Sequence, residues 1–468
     1  MPFRIALSGL DAASTDLQVT GHNIANSATS GFKESRTEFA DLYASSIQDV
    51  STNSAGRGVR VARVAQQFSQ GNIDFTGNNL DLAVSGEGFF MLGDPDGSAT
   101  YEYSRSGAFS VDRDSYIVNH ASQRLQVFPT RIDSTTGKVV EDANGNPEFL
   151  GSVTGLQLPI QAGAPAATAG SVVSVNLDSN ETAPAAYTAQ SSVPPAALAG
   201  AEFSPNPSPD EYNHTTSTTI YDSLGNSHPA TFFFVKTAVA GEWHAYLQTT
   251  NNDGTDVFVP VDQNDGLGGA PDGTVDSYYS VLQFDGTGAL TSTGGIAGLT
   301  NVSYPGFDLH PSTAGAGDAD PLTMTIDYGA STQYGATFGV NNLTQDGYSS
   351  GLLSGLDIDK SGVVFARFTN GQSLALGMVA LARFNNQQGL QQVGDTNWSE
   401  SFSSGSPQVG QPGTSSLGLI QSGALEGSNV DVAAQLVNLI TAQRNFQANA
   451  QVISAADTVT QTVINMIR

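Results

Sequence analysis

Three short stretches carry side chains whose type and spacing could do chemistry. Gly347-Tyr348-Ser349-Ser350-Gly351 fits Gly-x-Ser-x-Gly, the turn that presents a nucleophilic serine in hydrolases. That chemistry needs a buried strand to deliver the serine and a helix starting just after it. Here polar Asn341 to Asp346 precede the motif and Leu352-Leu353-Ser354-Gly355 follows with a helix breaker, so Ser349 is read as a loop residue. Asp357-Ile358-Asp359-Lys360-Ser361-Gly362 opens like a calcium loop. Its twelfth position is Phe368, where a bidentate Glu is required, and Lys360 adds positive charge. A hairpin turn is the better reading. Asp262-Gln263-Asn264-Asp265-Gly266 is similar with its glycine one place early, and its acidic surroundings keep a cation as an alternative there. The six histidines are scattered, and no pair has metalloprotease spacing. His22 is read as a capping or packing residue. No catalytic, cofactor-binding or metal-binding residue is assigned.

Composition narrows the class. Charged residues are only 13% of 468, and the 51 glycines accompany abundant Asn, Ser and Thr. That mixture predicts β-structure with many turns, and the length suggests about three domains. The net charge of −27 argues against a nucleic-acid partner. The charge is uneven. Between Gly151 and Gln345 stand 18 acidic side chains and one basic one, Lys236, whereas Ser428 to Arg468 balances Asp431 and Asp457 against Arg444 and Arg468. A charge-balanced end can pack against its own copies; an acidic middle repels them and should face water. With no cysteine there are no disulfides and no thiolate metal sites. Neither a signal peptide nor a membrane-spanning stretch is visible. The chain is therefore expected in the cytoplasm or exported by a route without a cleaved signal.

Helical elements are predicted only at the two ends. Phe3, Ala6, Leu10, Ala13, Leu17, Thr20 and Ile24 repeat at coiled-coil spacing before the turn formers Asn26 to Gly31. At the other end, Ser428-Asn429-Val430-Asp431 reads as a capping box, with Ser428 as N-cap and Asp431 at the third helical position. Val432, Leu436, Leu439, Gln443, Phe446, Ala450, Ile453, Asp457, Thr460, Ile464 and Ile467 then repeat at the same spacing, with no Gly or Pro between them. Roughly 40 residues make a rod of about 60 Å. A lone amphipathic helix is marginal in water, so it needs partners.

Between the ends lie strand-like runs: Leu80 to Val84, Gly88 to Leu92, Leu125 to Phe128, Gly362 to Phe368 and Leu374 to Leu381. An acidic stretch with Thr231-Phe232-Phe233-Phe234-Val235 and Trp243 to Leu247 interrupts them. The expected fold is mixed and mainly β, with nested, discontinuous domains. Residues 1–31 plus 428–468 form a coiled-coil-like assembly domain, and 32–76 a connector. A split β-domain spans 77–150 plus 341–427. An acidic outer β-domain, of one or two parts, is inserted at 151–340.

Four blocks stand out: Gly21-His22-Asn23-Ile24-Ala25-Asn26 with Thr29-Ser30-Gly31-Phe32-Lys33, then Leu80-Asp81-Leu82-Ala83-Val84 with Gly88-Phe89-Phe90, then Ser104-Arg105-Ser106-Gly107-Ala108-Phe109. The last is Ser428 to Asp431 with Ala442-Gln443-Arg444-Asn445-Phe446-Gln447-Ala448-Asn449-Ala450. Through these blocks both ends resemble the flagellar rod and hook axial proteins. Four blocks in order cover about 1–130 and 345–468. Length, and Tyr221-Asp222-Ser223-Leu224-Gly225-Asn226-Ser227-His228, are similar to the hook member of that family. The resemblance implies a non-enzymatic subunit, without cofactors, that stacks helically into a curved tube between rod and filament. Terminal helices would line an export channel, the split β-domain would form the wall and the insert the outer surface. Implied partners are copies of the chain, the distal rod, the hook cap, the hook–filament junction proteins and the flagellar type III export apparatus. The candidate self-assembly residues are Leu10, Ala13, Leu17, Ile24, Asn26, Gly31 and Phe32 at one end. At the other they are Val432, Leu436, Leu439, Gln443, Phe446, Ala450, Ile453, Ile464 and Ile467.

Two rival readings stand beside this one. A distal rod or other axial protein with an enlarged insert is the nearer. An adhesin or glycan-active protein built from the insert is the farther; it would need clustered aromatic or catalytic side chains, and only Tyr278-Tyr279 and Phe232 to Phe234 offer a start.

Overall fold

Helix α1 runs from Pro2 to Ala25 and helix α2 from Val432 to Ile467. Proline suits the first helical position because its missing N–H has no intrahelical acceptor to lose. α1 stops where Asn26 turns back: its Nδ2 donates to His22 O at 3.0 Å, and Gly31 takes a left-handed φ of 71°. The computed structural model describes every residue except Met1, 43–56, 97–99, 134–138, 160–163, 190–202, Ser204, 252–253, 263–276, 294–295, Leu299, 310–318, Ser415 and Arg468.

The chain divides into two compact units. The first comprises Met1–Ile160, Leu353–Phe368 and Gln372–Arg468, and the second Gln161–Leu352 with Thr369–Gly371. In the first, strands β1 (Ser35–Asp41) and β2 (Val59–Gln66) pair antiparallel, with a bulge at Glu38/Phe39. Strand β3 (Ile73–Phe75) pairs with Ala424–Glu426, just upstream of α2. Thirteen strands among the described residues form a branched sheet. Its main path runs from an edge at Leu353–Ile358, through Ser373–Val379, Arg124–Pro129, Phe89–Gly93 and Tyr101–Ser104, to an opposite edge at Gln391–Gly394. Residues before and after the second unit thus share one sheet, with Val379 opposite Val127. Phe89–Gly93 is a continuous apolar run because both its faces are covered. Phe90 and Leu92 join Leu82, Val127, Val364 and Leu381, while Phe89 and Met91 join Tyr103, Phe384 and Trp398.

Among the described residues the second unit is a β-sandwich of a four-stranded and a seven-stranded sheet. Their facing sides bury Val173, Val175, Tyr304, Met324 and Ile326 against Ile220, Phe232, Phe234, Trp243 and Leu282. The alternation of strand side chains explains the Phe triplet. Phe232 and Phe234 point into the sandwich, whereas Phe233, with Val235 and Tyr246, points to a second cluster that includes Phe203 and Phe258.

Candidate assembly site

The terminal helices lie antiparallel. At one end of the pair, Asn23 Nδ2 donates to Gln435 Oε1 at 3.2 Å. Toward the other, a Cβ on Gly9 would come within 2.7 Å of the Asn449 side chain, and Phe3 lines a groove of about 700 Å³ with Val452, Ala456 and Thr460. Small residues make the approach possible: Ala6, Ala12 and Ala13 are buried and Gly9 has no side chain to interpose. On α2 the covered positions are Gln435, Leu439, Ala442, Phe446, Asn449, Ile453 and Ala456, alternating steps of four and three as an antiparallel coiled-coil seam demands. α1 has 24 residues and α2 has 36, so α2 continues past the start of α1. Val459, Val463, Ile464 and Met466 on that overhang are exposed.

A buried polar junction ties both helices to the β-sheet body. Lys33 and Glu426 form an ion pair at 2.5 Å with neither side chain reached by solvent. Arg105 Nη1 donates to the other Glu426 oxygen at 3.1 Å, and its Nη2 to Gly86 O at 2.9 Å. Gly71 N donates to Glu426 Oε1 at 2.9 Å, and Lys33 Nζ also reaches Ser69 O at 2.8 Å. Burial pulls the Lys33 ammonium and the Arg105 guanidinium below their ordinary values, and the Glu426 carboxylate pulls both back. Gly31 packs so closely here that a Cβ would stand 2.4 Å from Ser106 N. This is what Gly31-Phe32-Lys33 and Arg105-Ser106 do: they are two walls of one junction. Next to it, Asn429 Oδ1 accepts from Glu34 N at 2.7 Å and its Nδ2 donates to Gln67 O at 2.7 Å. Gln435 Nε2 donates to Glu34 Oε1 at 2.8 Å.

The capping reading is corrected by these bonds. Asn429 is occupied by the 67–69 segment, so Ser428 to Asp431 stays outside the helix and α2 begins at Val432. The N-cap is Asp431, whose Oδ1 accepts from Ala433 N at 2.8 Å and Ala434 N at 3.2 Å. Ser428 Oγ accepts only from Val430 N, at 3.3 Å.

The candidate assembly residues separate into two sets. Ala13, Gly31 and Phe32 are buried, and Leu10, Leu17, Ile24 and Asn26 half-buried. Leu439, Phe446, Ala450 and Ile453 are half-buried on the covered side of α2. Val432, Leu436, Gln443 and Ile464 stand exposed, and the Ile467 side chain lies outside the described residues. Sequence reasoning missed the exposed Val437, Ile440 and Val452, because the single 3-4 register drawn along α2 merged its covered side with part of its open side. It missed Glu426 too: nothing local marks a buried carboxylate, although the scarce cations Lys33 and Arg105 required one.

The Asp357 to Gly362 motif resolves as a turn. Asp359 Oδ1 accepts from Val363 N at 2.9 Å, closing a hairpin between Leu353–Ile358 and Val363–Phe368, and Asp357 is paired with Arg367. Asp222 does the same for Leu224 N and Asn226 N in the hairpin that carries the hook-like block. Ser349 follows Tyr348, which bridges to Ala166 in extended structure. Of Asp262 to Gly266, all but Asp262 lie outside the described residues. Among the described residues no group of three or more His, Asp or Glu side chains could hold a metal ion. No described helix is long and apolar enough to cross a membrane.

Comparison with known families gives the class to which this β-rich body with its antiparallel terminal helix pair belongs. Residues 3–33 match the family described as flagella basal body rod protein, and 421–466 the flagellar basal body rod FlgEFG protein C-terminal. Residues 83–160 match the flagellar hook protein FlgE/F/G D1 domain, and 176–348 the flagellar basal body protein FlaE D2 domain. The chain is 35% identical over 469 residues to the flagellar hook protein FlgE of Escherichia coli, covering 100% of both chains. It is 34% identical to that of Salmonella typhimurium, again over 100% of both, and 31% to that of Borreliella burgdorferi over 98% of both. The chain belongs to the flagellar hook protein family. That family is structural and not enzymatic.

Proposed function

We propose that this chain is the structural subunit of the bacterial flagellar hook. It polymerises with copies of itself into a curved, flexible tube that couples rod to filament and transmits torque around a central export channel. The observation that carries the polymerisation is the open side of α2. Leu436, Val437 and Ile440 are each more than a third exposed on a helix already paired with α1. A row of this kind buries its apolar surface only against another chain, each well-buried side chain contributing about 1.5–3 kcal/mol. On this reading the helices line the channel, the split β-body forms the wall, and the acidic insert faces outward. A wet, like-charged surface exchanges contacts easily, which suits a tube that bends as it turns. The remaining partners are the distal rod, the hook cap, the hook–filament junction proteins and the flagellar type III export apparatus, which carries the chain out.

Antibody-gold labelling of intact flagellated cells tests the assignment. Label on a short curved segment between cell body and filament supports it. Label seen only after the envelope is opened moves the chain to the rod.

A further inference from the structure

Two features at opposite edges of the thirteen-stranded sheet stand open on the surface. The first is Phe402, which is fully exposed. It sits on a turn that hydrogen bonds hold rigidly: Ser401 Oγ donates to Gly389 O at 2.5 Å, Ser401 N to the buried Ser404 Oγ at 2.9 Å, and Asn386 Nδ2 to Ser403 O at 2.9 Å. The turn follows Asn397–Ser399, next to the edge strand Gln391–Gly394. The second is a pocket of about 570 Å³ beside the other edge strand, lined by Leu80, Val111, Leu158, Pro159, Leu353 and Leu356 among others.

We infer that Phe402 of one copy seats in this pocket on the next copy. The inference rests on the hook reading and adds the contact between β-bodies. An aromatic side chain pre-set on a stiff turn loses little freedom on docking, and such anchors dominate interfaces when they meet a preformed pocket. Charge selects the occupant. Copies of a chain at −27 repel unless the touching surfaces are neutral. Residues 401–425 carry no ionisable side chain, and neither does the pocket lining. Geometry selects the symmetry. A knob and a socket on opposite edges of one sheet form a heterologous, head-to-tail contact, the kind that propagates an open helix instead of closing a dimer.

The test uses the full chain, polymerised in solution. Phe402→Ala should raise the critical concentration at least tenfold, Val111→Glu at the pocket rim should do likewise, and both monomers should melt as the unaltered one does. Because the chain has no cysteine, the double variant Ser403→Cys, Val111→Cys can be treated with a short bismaleimide. A cross-linked ladder from polymer and none from monomer is the expected result. Polymer forming at the unaltered concentration from Phe402→Ala, with no ladder, overturns this contact and leaves the hook reading intact. An unaltered chain that never polymerises and is absent from hooks removes both.

Discussion

Lys33 and Glu426, 393 positions apart, meet 2.5 Å from one another where no water reaches either. Each terminal helix leaves the β-body through this pair. Glu426 also neutralises Arg105, so the cluster holds two cations on one carboxylate. Removing the carboxylate strands both. Glu426→Ala should therefore cost about 3–5 kcal/mol, the range for breaking a buried pair. Urea unfolding of the monomer measures it, and a loss below about 1 kcal/mol would show that water enters the junction.

The insert should weaken in mild acid. His244 is buried, stacked on Tyr279 with centroids 4.1 Å apart and bonded through Nδ1 to the Tyr187 hydroxyl. Burial pushes its pKa down to about 4. A histidine depressed in the folded state stays neutral there while the unfolded chain binds its proton from about pH 6.5 downward. Stability is thus whole above pH 6.5, falls between 6.5 and about 4, and levels off below. The loss over that window is about 3 kcal/mol, at 1.36 kcal/mol per pH unit. His214, lowered by burial in the same direction, adds to it. Urea midpoints across this range should show the slope, and His244→Gln should flatten much of it.

Gly9 and Asn449 mark a close approach of the helices. Gly9→Val should loosen the pair by about 1–3 kcal/mol through overpacking. Asn449→Ala should relieve part of that, giving a coupling energy in a double-mutant cycle on helical circular dichroism. Additive losses would place the crowding elsewhere.

The cap assignment separates two neighbouring residues. Asp431→Ala should cost about 1 kcal/mol because two helix N–H groups lose their acceptor. Ser428→Ala should cost a few tenths at most. Thermal melts of α2 ellipticity decide between them, and the reverse order would restore Ser428 as the cap.

How far the sequence reveals this arrangement depends on the range of the interaction. The helices, the strand-rich middle and the hairpin at Asp359 to Gly362 are local, set by periodicity and turn chemistry, and can be read directly. The start of α2 misleads because Ser428-Asn429-Val430-Asp431 is a good capping box in isolation. Only the 67–69 segment, some 360 residues away, shows that Asn429 is taken. The two sides of α2 are blurred for the same reason: which valines face α1 depends on where Gly9 and Asn23 land. Glu426 is invisible without Lys33 and Arg105 beside it. The Phe232 to Phe234 run shows a buried strand but not that two separate clusters claim alternate rings.

The Asn23–Gln435 bond has a consequence for the chain while it is being made. α1 meets β1 and β2 within some 40 residues of its end, through Asn23 with Ser35 and Ser8 with Val59, yet its helical partner appears more than 400 codons later. Any product cut short by a premature stop before Gln435 leaves α1 with β1 and β2 alone and lacks the open face of α2. On the proposed reading an incomplete copy brings no α2 face to a growing end, so the pairing of the two chain ends screens subunits for completeness before they join.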